Sequence, residues 1–140
     1  MNEVIGIMGA RRRGWSVSQV FEALCLMEDR VIVARTAQGG LFGGGAIPAW
    51  YKAASQEQKL VGLSAEQLLK ASENNYDIPY SKIKRVELKK FGLGAFINII
   101  TDEKKYRWAA RGIPGYEHPG IEDFEKILRP VFGDRLTVSK

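Results

Sequence analysis

The apolar positions fall into short, mostly β-branched runs. Val4-Ile5-Gly6-Ile7-Met8, followed by Gly9, Arg11-Arg12-Arg13 and Gly14, predicts a strand and then a loop. Val20 to Met27 faces Val31-Ile32-Val33-Ala34 across Glu28-Asp29-Arg30, a connector short enough for a hairpin. Downstream, Lys84 to Lys90 alternates, with Val86 and Leu88 on one face and Arg85, Glu87 and Lys89 on the other. Phe91-Gly92-Leu93-Gly94 reads as the turn into an apolar strand, Phe96 to Thr101. Asp102-Glu103 then leads to Lys104–Ala109, where Tyr106 and Trp108 alternate with Lys105 and Arg107. These three strands predict a meander whose last member has an aromatic face and a cationic face.

Helical spacing appears twice. Ser64 stands three residues before Gln67, as in a capping box, with Leu63 and Leu68 placed as a hydrophobic staple, which predicts a helix from about Ala65 to Glu73 that stops at Asn74-Asn75. After Pro119-Gly120, the positions Ile121, Phe124, Leu128 and Val131 form one apolar stripe, with Glu122 and Asp123 in the favourable first turn. Pro130 is expected to end or bend this helix. Ile47 to Ala54, with Pro48 in its first turn, reads as a short helix after the glycines of residues 39–45.

Across 140 residues, 45% are apolar and 26% charged, enough for one compact domain. The net charge of +5 is concentrated: residues 76–112 carry nine basic and four acidic groups, whereas the rest of the chain balances. A lone Cys25 excludes an internal disulfide and a multi-cysteine zinc site. The sixteen uncharged residues between Arg35 and Lys52 fall short of a bilayer span, and Met1-Asn2-Glu3 shows no leader pattern, so the expectation is a cytoplasmic protein, soluble or on a membrane surface.

Ile78-Pro79-Tyr80-Ser81-Lys82-Ile83-Lys84-Arg85-Val86-Glu87-Leu88, then Gly92-Leu93-Gly94, the strand pair and the helix Ile121 to Leu128, resemble a pleckstrin-homology-like (PH-like) domain of the bacterial, archaeal or GRAM type. Glu28 to Val33 is similar to the second hairpin of such domains. The resemblance covers roughly residues 3–37 and 76–132, and it implies a mainly β, α+β fold: an antiparallel barrel closed by a C-terminal amphipathic helix, with a Gly-rich and helical insertion at residues 38–75. It also implies a non-enzymatic binding module without a cofactor. The expected partner is an anionic membrane surface or, alternatively, a protein. Phosphoinositide-binding members place basic residues near the first hairpin loop, where Arg11, Arg12 and Arg13 stand, but the lysine usual on the first strand has no counterpart in Val4–Met8.

Two basic groups are candidate ligand contacts. One is Arg11, Arg12 and Arg13 beside Trp15, because guanidinium forks suit phosphate; the other spreads over strands and includes Lys82, Lys84, Lys89, Lys90, Lys105 and Arg107. Each has a competing reading, as a solvated loop for the first and as charges that deter edge pairing for the second. Leu41, Phe42, Trp50 and Tyr51 are candidates for an apolar contact loop, against a plain flexible insertion. Nucleic acid is not expected, because Tyr106 and Trp108 alternate with the cations and a stacking platform needs rings and charges on one face. His118 in a turn-rich connector and Cys25 among apolar residues have no partners in sequence reach, so no catalytic role is assigned to either.

Overall fold

The computed structural model describes residues 4–13, 18–40, 60, 62–92 and 94–140. Strands β1 (Gly6–Arg12), β2 (Ser18–Leu26) and β3 (Arg30–Gly40) form a meander. Helix α1 (Ala65–Lys70) and β4 (Tyr76–Pro79) follow, and then the second meander, β5 (Ile83–Phe91), β6 (Gly94–Thr101) and β7 (Lys105–Gly112). Helix α2 (Ile121–Phe132) and β8 (Leu136–Ser139) end the chain. Among the described residues, these eight strands form one sheet in the order β4-β3-β2-β1-β7-β6-β5-β8.

The expected closed antiparallel barrel gives way to an open, mixed sheet. Its edges, β4 and β8, do not pair with each other, and β8 runs parallel to β5. The sheet nevertheless curls strongly. Tyr76 on β4 and Tyr106 on β7 lie four strand steps apart, roughly 19 Å if the sheet were flat. Their ring centroids are 6.0 Å apart, so the sheet wraps round its inner face.

That inner face holds the main core. Met8, Leu24, Val33, Val86, Leu88, Ile97 and Trp108 point into it, and α2 plugs it with Ile121, Phe124, Leu128 and Phe132. The helix passes so close to β1 that a Cβ on Gly6 would stand 3.1 Å from Ile127 Cγ2. The outer face of β1–β3 carries a smaller cluster, where Ala23, Cys25, Ile32 and Ala34 meet Ala65 and Leu68 of α1. The predicted alternation of Val86 and Leu88 against Arg85, Glu87 and Lys89 is present as written.

Four boundaries differ from expectation. β1 begins and ends later than Val4–Met8, so Arg11 and Arg12 belong to a strand. α1 has the predicted capping box but ends at Lys70, because Asn75 Nδ2 donates to Leu68 O at 2.7 Å while its Oδ1 accepts from Arg35 N, tying the helix end to β3. α2 continues past Pro130 to Phe132, with Gly133 at φ 54° ending it. Pro130 forfeits one backbone hydrogen bond to the preceding turn, and only two helical residues follow it. The predicted helix within Ile47–Ala54 lies outside the described residues.

Candidate functional site

Because Arg11, Arg12 and Arg13 follow strand alternation, they separate. Arg12 turns to the inner face, where its Nε and Nη2 donate to Glu22 at 3.2 and 2.8 Å. Glu22, on β2, is fully buried. Its Oε1 also accepts from Trp108 Nε1 at 3.0 Å, so the carboxylate has donors on both oxygens. A charge buried to this degree persists only with such pairing. The hydrogen bond to Glu22 raises the Arg12 guanidinium further above its already high range. Burial and then the Glu22 charge push the neighbouring Tyr76 phenol up as well.

Above this network lies a cleft of about 360 Å³, lined by Arg12, Arg13, Tyr76, Lys104, Lys105, Tyr106, Arg107 and Trp108. Tyr106 stacks on Trp108 at 6.0 Å and 6° and on Tyr76 at 6.0 Å and 26°, forming an aromatic wall. Lys104 Nζ stands 4.5 Å over the Tyr106 ring. Five cations and three rings therefore line the cleft, with no carboxylate among the lining residues. The arrangement can hold an anionic group against an aromatic surface.

Four of the nine basic candidates line this cleft: Arg12, Arg13, Lys105 and Arg107. Arg11 faces outward, and Arg11, Lys82 and Lys90 are all exposed. Lys84 pairs with Asp102 at 2.8 Å. Lys89 and Lys105 converge on Glu87 Oε1 at 3.8 and 3.6 Å, and Arg85 reaches Glu87 Oε2 at 3.3 Å. The positive stretch of sequence is thus partly organised round a single acid. Leu41, Phe42, Trp50 and Tyr51 lie outside the described residues. His118 is exposed, and Cys25 is buried in the smaller cluster.

Burial works to raise the Glu87 carboxyl, but the hydrogen bond from Asn98 and the charges of Lys89, Lys105 and Arg85 outweigh it, so the net shift is downward. A carboxyl depressed by folding contributes stability above its unfolded pKa and loses it as pH falls through the folded one. Glu87→Gln is therefore expected to flatten the acid limb of stability between about pH 6 and about pH 3. Thermal midpoints of parent and variant across that range test this, and parallel acid limbs would refute it.

Glu22 escapes the sequence reading as a site member, whereas Lys104 belongs to the basic strand cluster it identifies. Glu22 sits in a run that reads as hydrophobic strand, and a lone acid at an inward position is the one signal that marked it. Among the described residues, no cluster of His, Cys, Asp or Glu is placed to hold a metal, and no helix is long and apolar enough to cross a membrane. In comparison with known proteins, the chain matches no family, no curated protein and no solved structure.

Proposed function

We propose that the chain is a non-enzymatic, PH-like binding module that attaches peripherally to an anionic membrane surface through the end of the sheet bearing the cleft. The observation that carries this reading is the cleft itself, whose rim gathers Arg13, Lys104, Lys105 and Arg107 around Tyr106 without an acidic lining residue. A phosphate-bearing headgroup fits that chemistry, because guanidinium and ammonium donors reach it while the ring wall takes its apolar side. Glu22 holds Arg12 at the floor, so the floor is set before any ligand arrives.

Each basic side chain close to an anionic leaflet contributes on the order of 1 kcal/mol and is screened by salt. The Lys104→Ser, Lys105→Ser double variant is therefore expected to bind vesicles containing anionic lipid roughly thirtyfold more weakly than the parent. Lys82→Ser, away from the cleft, is expected to change binding little. Vesicle sedimentation at low and at roughly physiological salt measures both. Equal binding to neutral vesicles would remove the anionic headgroup as the ligand, and no binding to anionic vesicles at low salt would remove the membrane and leave a protein partner.

A further inference from the structure

The outer face of β6, β7 and β1 presents a second surface, which meets the cleft at Arg13 and Arg107. Register places Lys89, Phe96, Ala109 and Arg11 in one line across β5, β6, β7 and β1. Arg107 and Arg13 stand in the next line toward the cleft, joined by Arg13 N donating to Arg107 O at 3.1 Å. Arg111 lies on the other side of Ala109, two residues along β7, with its guanidinium 5.1 Å over Phe21. A shallow floor at Ala109 is thus bordered by Arg11, Arg13, Arg107, Arg111 and Lys89. Glu87 is the acid that β5 contributes to this face.

Rings accompany these cations. Phe91 stacks on Phe96 with centroids 4.4 Å apart and an interplanar angle of 22°. The Arg13 guanidinium lies 3.9 Å from the centroid of Phe96. A ring has two faces, and groups at such distances take one each, so Arg13, Phe96 and Phe91 make a short column. Phe91 ends it and is 63% exposed. Tyr106 and Trp108 turn to the inner face, as the alternation predicts, but the premise that rings and charges occupy opposite faces fails twice: both rings line the cleft with Lys104, Lys105 and Arg107, and Phe91 and Phe96 share the outer face with Arg13.

We infer that this outer face binds single-stranded nucleic acid, with a base stacking on Phe91 as the next layer of the column and phosphates meeting Arg11, Arg107 and Lys89. Two features favour this partner over a membrane. The Phe91 ring is stacked on Phe96 in line with the Arg13 guanidinium, which leaves a ring face open beside the cations. The turn that carries it lies at the opposite end of β5–β6 from the β6–β7 turn that brings Lys104 to the cleft, so a membrane on the cleft end leaves this face pointing elsewhere. Extended phosphates complement a face with many cations and one acid, and any base supplies a π-face.

The test is fluorescence anisotropy with a labelled oligo(dT) of about 20 nucleotides, a length that exceeds the site of a single small domain. Phe91→Ala is expected to weaken binding roughly tenfold. Arg11→Ser is expected to lower the slope of log affinity against log salt by about 0.7, the loss of one phosphate contact. Both residues are exposed, so both variants keep the fold, which circular dichroism checks. The Lys104→Ser, Lys105→Ser variant should retain most of its oligonucleotide affinity while losing vesicle binding, which separates this face from the cleft. No oligonucleotide binding at low salt, equal binding by Phe91→Ala, or equal affinity for a duplex of the same length would overturn the inference. Loss of vesicle binding on Phe91→Ala, with no oligonucleotide bound, would assign the face to a membrane instead.

Discussion

A chain ended after Gly120 is expected to show no cooperative thermal transition. The cut removes α2 and β8, and with them Ile121, Phe124, Leu128, Phe132 and Leu136, all buried in the main core. At roughly 1.5 to 3 kcal/mol for each fully buried side chain, the loss is on the order of 10 kcal/mol, comparable to the whole stability of an ordinary domain. It also strips the cover from Val86, Leu88 and Ile97 on the inner face, and it leaves β5 as an unpaired edge. Arg135 departs too, and its Nη1 donates to Tyr80 O at 2.8 Å and Ile83 O at 3.1 Å, linking the residues after β4 to the start of β5. A finer version of the cut is Phe124→Ala, which should cost about 3 to 5 kcal/mol, because a sheet packed on all sides cannot collapse into the space. Differential scanning calorimetry measures both, and a truncated chain melting cooperatively near the parent's midpoint would show that α2 is an accessory to the fold.

Elements whose physics is local were legible in advance. Ser64 and Gln67 sit three apart and meet as a capping box, and Val86 and Leu88 alternate and turn inward. The charged connector from Glu28 joins strands that pair from Leu26 and Val31 outward. What escaped depends on distant partners. Leu136-Thr137-Val138-Ser139 is four residues long, and it is a strand only because β5, about fifty positions earlier, offers a parallel edge. Tyr76–Pro79 reads as the approach to a strand, yet it pairs with the start of β3. For the candidate site, the residue types were visible and their grouping was not. One shift in the end of β1 decides that Arg12 goes inward to Glu22 while Arg11 and Arg13 go outward, and neighbours in sequence thereby serve opposite faces. The pairing of Phe91 with Phe96 spans a hairpin turn, so a reading confined to one strand at a time misses it.

Glu22→Ala is expected to destabilise the protein by about 3 kcal/mol, through one buried donor more than through the ion pair. Arg12 has 43% of its side chain exposed, so without Glu22 its guanidinium can turn toward water and recover much of its solvation. Trp108 has no such exit. Its ring is 1% exposed beneath Tyr106, and its Nε1–H has Glu22 Oε1 as acceptor at 3.0 Å. Leaving that donor unpaired costs about 1 to 3 kcal/mol, and the space vacated by the carboxylate adds to it. Glu22→Gln keeps an oxygen for Trp108 while giving up the charge and one acceptor for Arg12, so its cost should be nearer 1 kcal/mol. The double variant Arg12→Ala, Glu22→Ala should be less destabilised than the two single changes added together, because the pair shares its interaction. Urea unfolding of the four proteins provides this cycle, with indole fluorescence in a Trp15→Phe, Trp50→Phe background reporting whether Trp108 stays buried. If Glu22→Ala unfolds at the parent's urea midpoint, or if Glu22→Gln is as costly as Glu22→Ala, the acceptor for Trp108 is not what holds this end of the core.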